Sequence, residues 1–263
     1  MSQSSSRPVL VGRRRRIPWA LIPPLLVVLL AAGLWLWRSN GGSTDAGQRQ
    51  LAAGQYQQAV ETFSARITAE PNSAQNYANR GLAYAGLQNY QSAIDDYSKA
   101  LELAPQAEDA PQIYNNRGLA YFNTDQDEQA EADYTKAIEL KSDYAIAYVN
   151  RALLHQRHEQ NDQAVADYTK ALELNPQLAE AHVGRGQVYA DIGQTDQALA
   201  DFGEALKLNS KLAAAYNGRA DIYLAQGQSD KAIAELRAVI ANASPSEDLL
   251  KNKAQSQLDA LTP

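Results

Sequence analysis

Along most of the chain, apolar residues recur at intervals of three and four, which is the spacing of an amphipathic α-helix. Segment 90–103 shows this pattern clearly, and its apolar positions are Ala93, Ile94, Tyr97, Ala100 and Leu101. Segment 76–87 carries a second helical pattern that is richer in small residues. Because a single pair of short helices cannot bury its apolar face, the pattern predicts an all-α fold of stacked helical hairpins.

The helical pattern itself repeats about every 34 residues. An alanine marks each repeat, at Ala59, Ala93, Ala130, Ala164, Ala198 and Ala232, with intervals of 34, 37, 34, 34 and 34 residues. The longer interval contains a three-residue insertion around Glu108–Ala110, in a turn between two repeats, where extra residues leave the helices intact. A fixed period of this length indicates a helical solenoid.

The residues within each repeat follow a recognisable order. The second repeat reads Asn79-Arg80-Gly81-Leu82-Ala83-Tyr84 and continues with Ala93, Tyr97, Ala100 and Pro105. This alternation of aromatic, small and apolar residues resembles the tetratricopeptide repeat family. The resemblance implies a right-handed α-α superhelix built from helical hairpins, and a function in binding other polypeptides.

The repeats define the extent of the solenoid. Clear repeats start near Ala74, Pro111, Ala145, Ala179 and Ala213, and a degenerate repeat precedes them near Asn40–Ser73. We therefore expect the solenoid to occupy residues 44–244. The apolar residues Leu249, Leu250, Ala254, Leu258 and Leu261 predict a final helix within 245–263 that caps the last repeat.

The N-terminal region has a different composition. Residues 17–37 carry no charge and are flanked by Arg13–Arg16 and Arg38. At about 1.5 Å per residue this segment is long enough to cross the roughly 30 Å hydrocarbon layer of a bilayer, so we predict a transmembrane helix at 17–37. A basic tail (1–16) would precede it and a flexible linker (38–43) would follow.

The distribution of arginine predicts the orientation of this anchor. The excess of arginine before residue 17 favours a cytoplasmic N-terminus, with the repeats on the far side of an inner or thylakoid membrane. A second interpretation is a cleaved signal peptide that ends at Ala31-Ala32-Gly33.

Composition excludes several classes of function. The first 38 residues hold six arginines and no acid, so the remaining 18 basic and 30 acidic residues give the repeats a net charge of -12. A strongly acidic surface repels phosphate backbones, so we expect no nucleic-acid partner.

The chain has no cysteine, which rules out disulfides and thiolate sites. We find no phosphate-binding loop, nucleophile motif or paired catalytic carboxylates, and so predict no catalytic residues and no cofactor. His155, His158 and Glu159 are close in sequence, but His155 occupies an aromatic core position, so we predict no metal site.

Five arginines have an acidic residue sixteen positions later. The pairs are Arg80 and Asp96, Arg117 and Asp133, Arg151 and Asp167, Arg185 and Asp201, and Arg219 and Glu235. The degenerate first repeat lacks both members, with Ala46 and Thr62 in their places. A row of arginines could bind carboxylates of a ligand. However, the arginine and the acid occur together in five repeats and are both missing from the first, which favours structural ion pairs between helices.

The family resemblance also implies a binding surface, because the first helix of each repeat lines a concave groove in that family. Carried onto this sequence, the groove positions are Asn79, Leu82, Asn115, Asn116, Leu119, Phe122, Val149, Asn150 and Leu153. Asparagine can donate to and accept from a peptide backbone, and the apolar positions can hold side chains of a ligand. The alternative is that these asparagines only tolerate a solvated helix face. The first helices contain no lysine, so the carboxylate clamp of relatives that bind chaperone C-termini is not expected.

These observations lead to one main hypothesis and two alternatives. The main hypothesis is a non-enzymatic, membrane-anchored scaffold that assembles protein complexes by binding peptide segments or helices in its groove. One alternative is a substrate-presenting or regulatory subunit of a cell-envelope enzyme, which would need an acidic cleft, for instance at Asp191 and Asp221. The other is a structural protein that self-assembles.

Overall fold

The computed structural model describes residues 45–262, which form thirteen α-helices, one short 3-10 turn and no strand. The helices are α1 Ala46–Ala52, α2 Tyr56–Ala69, α3 Ala74–Gly86, α4 Tyr90–Leu103, α5 Ala110–Phe122, α6 Asp127–Leu140, α7 Ala145–Arg157, α8 Asn161–Leu174, α9 Ala179–Asp191, α10 Thr195–Leu208, α11 Ala213–Ala225, α12 Ser229–Asn242 and α13 Asp248–Leu261, with the 3-10 turn at Pro245–Glu247. The basic tail, the predicted transmembrane helix at 17–37 and the linker lie outside the described residues. Within residues 45–262, no helix is long and apolar enough to cross a membrane.

The helices pair into six hairpins, each with an odd-numbered first helix and an even-numbered second helix. The two helices of a hairpin pack together, and each second helix also packs on the first helix of the next hairpin. From α3 to α11, the first helices of successive hairpins also contact one another, more closely than the second helices do. The first helices therefore line the inner, concave side of the stack, and the second helices lie outside.

In each of the first five hairpins, an aromatic ring from the second helix packs against a small residue of the first helix, and in the sixth hairpin Leu236 takes the place of the ring. The Tyr97 ring fills this position in the second repeat, where a Cβ added to Gly81 would lie only 2.9 Å from the ring. The marker alanines are fully buried, as are the rings that follow them. The small residues are needed because the ring occupies the space between the helices, and burial of these rings supplies a large apolar area in the first five repeats.

The turn inside each hairpin uses one residue with left-handed backbone geometry. Glycine fills this position at Gly54, Gly193 and Gly227, but Gln88, Asp125 and Glu159 fill it in the other three repeats, with φ between 56° and 59°. A side chain makes this conformation less favourable by about 1 kcal/mol or more. The second, third and fourth turns are therefore more strained than the first, fifth and sixth.

The final helix covers the apolar end of the last repeat, as the sequence predicts. Leu250 and Ala254 of α13 are buried against α12, and Leu258 and Leu261 pack beside them. A capping box joins Ser244 and Glu247 ahead of this helix. Leu249, another of the apolar residues that predict this helix, is 53% exposed because it lies next to the buried position Leu250, on a different side of the helix.

Candidate binding groove

The arginine–acid pairs lie between the helices of each hairpin. Arg80 on α3 donates from Nε and Nη2 to the two carboxylate oxygens of Asp96 on α4, at 2.7 and 2.8 Å. Arg117, Arg151 and Arg185 make the same two-point contact with Asp133, Asp167 and Asp201, all at 2.7 or 2.8 Å. The guanidinium of Arg80 also lies between the rings of Tyr77 and Tyr84. These arginines form ion pairs inside the fold, so little of each guanidinium is accessible to a ligand.

A third contact ties each of these arginines to the preceding repeat. Arg80 Nη1 donates to the hydroxyl of Ser64, at 3.1 Å. The equivalent acceptors for the next three arginines are Ser98, Thr135 and Thr169, at 3.0 to 3.2 Å. Sequence reasoning missed these hydroxyls, although each directly follows the aromatic residue of its helix and so recurs with the repeat. Each arginine therefore joins two successive second helices.

The fifth pair is weaker in two ways. Arg219 makes one close contact with Glu235, 2.7 Å from Nη2 to Oε1, and Glu235 Oε2 is buried without a hydrogen-bond partner among the described residues. Burial raises the pKa of the Glu235 carboxyl, and Arg219 lowers it only in part. The hydroxyl position of the preceding helix is Gly203, which has no side chain to accept from Arg219.

The pKa values of two equivalent aspartates move in opposite directions because their partners differ. Burial raises the pKa of Asp133 above its usual value, although Arg117 opposes the change. Burial acts in the same sense on Asp201, but hydrogen bonds from Arg185 and His182 hold its pKa below the usual value. His182 Nδ1 lies 3.0 Å from Asp201 Oδ1, so this aspartate has a partner that Asp133 lacks.

The predicted groove residues fall into buried and partly exposed sets. Phe122 and Leu153 are partly exposed. The other seven residues, Asn79, Leu82, Asn115, Asn116, Leu119, Val149 and Asn150, are less than 9% exposed. Most of these side chains therefore form the floor of the groove between neighbouring first helices. A ligand in the groove would contact only the small exposed part of each side chain.

One part of this floor is closed by the protein itself. Asn150 Nδ2 on α7 donates to Asn115 Oδ1 on α5, at 2.8 Å, and both residues are 1% exposed. Nearby, the guanidinium of Arg157 lies 3.4 Å from the centre of the Phe122 ring and donates to the Phe122 carbonyl. The junction between α5 and α7 is therefore filled by protein side chains.

The junction between α3 and α5 is different, because it contains a pocket of about 20 Å³. We call it the α3–α5 pocket; its lining residues are Gln75, Ala78, Asn79, Leu82, Tyr97, Asp109, Gln112, Ile113 and Asn116. Two polar atoms of these residues, Tyr97 Oη and Gln112 Oε1, are buried and have no hydrogen-bond partner within residues 45–262. Three predicted groove residues, Asn79, Leu82 and Asn116, lie here together.

The C-terminal end of the groove is acidic, but its two candidate carboxylates have separate partners. Asp191 accepts a hydrogen bond from Gln187 at 3.1 Å, and burial raises its pKa. Asp221 is held by the capping helix, with Lys253 Nζ at 2.8 Å and Gln257 Nε2 at 3.1 Å. The structure therefore assigns Asp221 a role in attaching α13.

The histidines have protein partners in the fold. His155 Nδ1 lies 2.8 Å from Gln160, His158 Nε2 lies 2.8 Å from Asp127, and His182 contacts Asp201 as described. In the part of the chain that the structure describes, no three histidine or acidic side chains are grouped so that they could hold a metal ion.

Comparison with known proteins agrees with this architecture. Models of the tetratricopeptide repeat match residues 46–115, 111–144 and 213–244, and a TPR repeat model matches 156–193 and 186–227. The crystal structure of MamA is similar, with 25% identity, a TM-score of 0.57, and coverage of 65% of this chain and 98% of that one. YrrB, described as a TPR protein with an unusual peptide-binding site, has 23% identity, a TM-score of 0.56, and coverage of 75% and 99%. A thermophilic TPR protein of Thermus thermophilus has 23% identity, a TM-score of 0.58, and coverage of 71% and 99%. The chain belongs to the tetratricopeptide repeat family.

Proposed function

We propose that this protein is a non-enzymatic scaffold that binds peptide segments or helices of other proteins in the groove lined by its first helices. The observation that carries the proposal is the contrast between two neighbouring junctions. Asn150 donates to Asn115 between α5 and α7, where side chains fill the junction and Asn150 Oδ1 has no partner among the described residues, whereas the junction between α3 and α5 combines a pocket with two such atoms, Tyr97 Oη and Gln112 Oε1. Buried polar groups without partners are costly, so an incoming peptide that supplies hydrogen bonds would be favoured there.

We further propose that residues 17–37 hold this scaffold in an inner or thylakoid membrane, with the repeats extracytoplasmic. The uncharged length of the segment and the arginines on its N-terminal side support this part of the proposal. A carbonate wash of membranes that contain the full chain should leave the protein in the pellet, and deletion of residues 17–37 should release it. A mature protein whose N-terminal sequence begins just after residue 33 would contradict the anchor.

Site-specific photo-crosslinking in native membranes tests the groove. A photoreactive phenylalanine at Gln75, exposed on α3, should crosslink to partner proteins, and so should one at Leu153 on α7. The matched control is Gln129, which is exposed on the second helix α6. Equal crosslinking from Gln75 and Gln129 would show that the concave surface is not the binding surface.

A further inference from the structure

In the repeat that contributes α3 to the pocket, two polar side chains that make hydrogen bonds in later repeats are replaced by alanine. Asn115 in the third repeat reaches the next first helix, and the equivalent position in the second repeat is Ala78. In the fourth repeat the Tyr168 hydroxyl donates to Gln156 Oε1 at 3.1 Å, and the residue equivalent to Gln156 in the second repeat is Ala85. Tyr97 therefore keeps its hydroxyl, but its Oη lacks the hydrogen-bond partner that Tyr168 has.

The three-residue insertion adds a carboxylate to the same pocket. It lengthens the turn before α5, so that Asp109 lies among the lining residues. Asp109 is partly buried, and burial together with the nearby Glu108 raises the pKa of its carboxyl. No lysine or arginine within residues 45–262 forms a salt bridge with it. A partly desolvated carboxylate without a cation is a favourable place for a positively charged group.

The shape and the chemistry of the pocket favour one kind of cation. Tyr97 Oη, Gln112 Oε1 and the Asp109 carboxylate can all accept hydrogen bonds, and a lysine ammonium has three donors in a compact head. About 20 Å³ is enough for a group of the size of water, whereas the planar guanidinium of arginine is larger. Leu82, Ile113 and Ala78 provide apolar walls against which the methylene groups of lysine can pack.

We propose that the α3–α5 pocket is a specificity pocket that recognises a lysine side chain of the bound peptide. Asp109 is the counter-ion, and Tyr97 Oη and Gln112 Oε1 are the other acceptors. This inference rests on the proposed function of the groove in peptide binding. The net charge of -12 that the chain carries beyond its basic N-terminus also favours lysine-containing partners over acidic ones.

The test uses the purified full-length chain and immobilised libraries of short random peptides whose central residue is fixed as lysine, acetyl-lysine, arginine or norleucine. We expect about tenfold greater retention of the lysine library than of the acetyl-lysine library, as for a charge-assisted hydrogen bond. Asp109→Asn should remove most of this preference. Tyr97→Phe should weaken it, and the fold should tolerate the change because Phe63 and Phe202 occupy equivalent positions.

Matched variants separate recognition in the pocket from general effects. Asp95→Asn removes an acid from an exposed position on α4, and Tyr168→Phe removes a hydroxyl that already has a partner; neither should change the preference for lysine. A preference that survives in both Asp109→Asn and Tyr97→Phe would overturn the pocket assignment. Equal retention of all four libraries would overturn the lysine pocket but not the proposal that the groove binds peptides. The pocket would then be expected to hold an ordered water. Retention of none of them would overturn both proposals.

Discussion

The incomplete fifth arginine contact can be repaired by a single substitution at Gly203. This residue lies inside α10, at the position where the earlier second helices carry Ser64, Ser98, Thr135 and Thr169, and a Cβ added there would meet nothing within 4 Å. Gly203→Ser should therefore place a hydroxyl where Arg219 can donate to it, as the other four arginines do at 3.0 to 3.2 Å.

The expected stabilisation has two parts. Replacing a mid-helix glycine by serine contributes about 0.5 kcal/mol through helix propensity. A hydrogen bond to a charged donor contributes about 1.5 kcal/mol or more when buried, and because the Arg219 side chain is 28% exposed we expect about 1 kcal/mol. The free energy of unfolding should thus rise by about 1.5 kcal/mol. Gly203→Ala should gain about 1 kcal/mol from propensity alone.

Urea denaturation followed by circular dichroism, arranged as a double-mutant cycle with Arg219→Met, separates these parts. The coupling between the introduced serine hydroxyl and Arg219 should be about 1 kcal/mol. The same cycle with Gly203→Ala should give a coupling near zero. A negligible coupling in the serine cycle would refute the idea that the hydroxyl row ties successive repeats together.

Three further predictions concern a turn, a histidine and the cap. Gln88→Gly should raise the free energy of unfolding by about 1 kcal/mol in urea denaturation, because it relieves the left-handed backbone; a loss of stability would contradict this. Because the pKa of Asp201 is lowered in the folded state, its carboxylate contributes stability above the unfolded pKa that is lost as pH falls through the folded value. His182→Tyr removes one hydrogen bond to it, so acid unfolding followed by circular dichroism should begin at a higher pH, and an unchanged midpoint would oppose the assignment. Leu250→Ala should destabilise the last repeat by about 2 to 5 kcal/mol, seen as faster hydrogen exchange in α12 and α13 than in α4.

Features that recur at a fixed spacing in most repeats could be predicted from the sequence. The helices, the marker alanines with their rings and the arginine–acid pairs depend on contacts inside one hairpin, so a fixed spacing is enough to find them. The hydroxyls that accept from the arginines recur in the same way, and the spacing of Ser64, Ser98, Thr135 and Thr169 could have identified them.

Features of the groove depend on how one repeat sits on the next, and a single-repeat pattern does not contain that information. The hydrogen bond between Asn115 and Asn150 and the position of Arg157 over Phe122 both depend on contacts between successive first helices. The entry of Asp109 into a pocket depends on the path of an inserted turn. The repeat pattern therefore predicts the helices but not which side chains of successive first helices contact one another.

The most direct test of the scaffold account is hydrogen–deuterium exchange of the full chain with and without a peptide selected from the lysine library. The account predicts slower exchange in the first helices α3, α5 and α7, and little change in the second helices α4, α6 and α8. Protection confined to the second helices, or no change in any helix at saturating peptide, would contradict it.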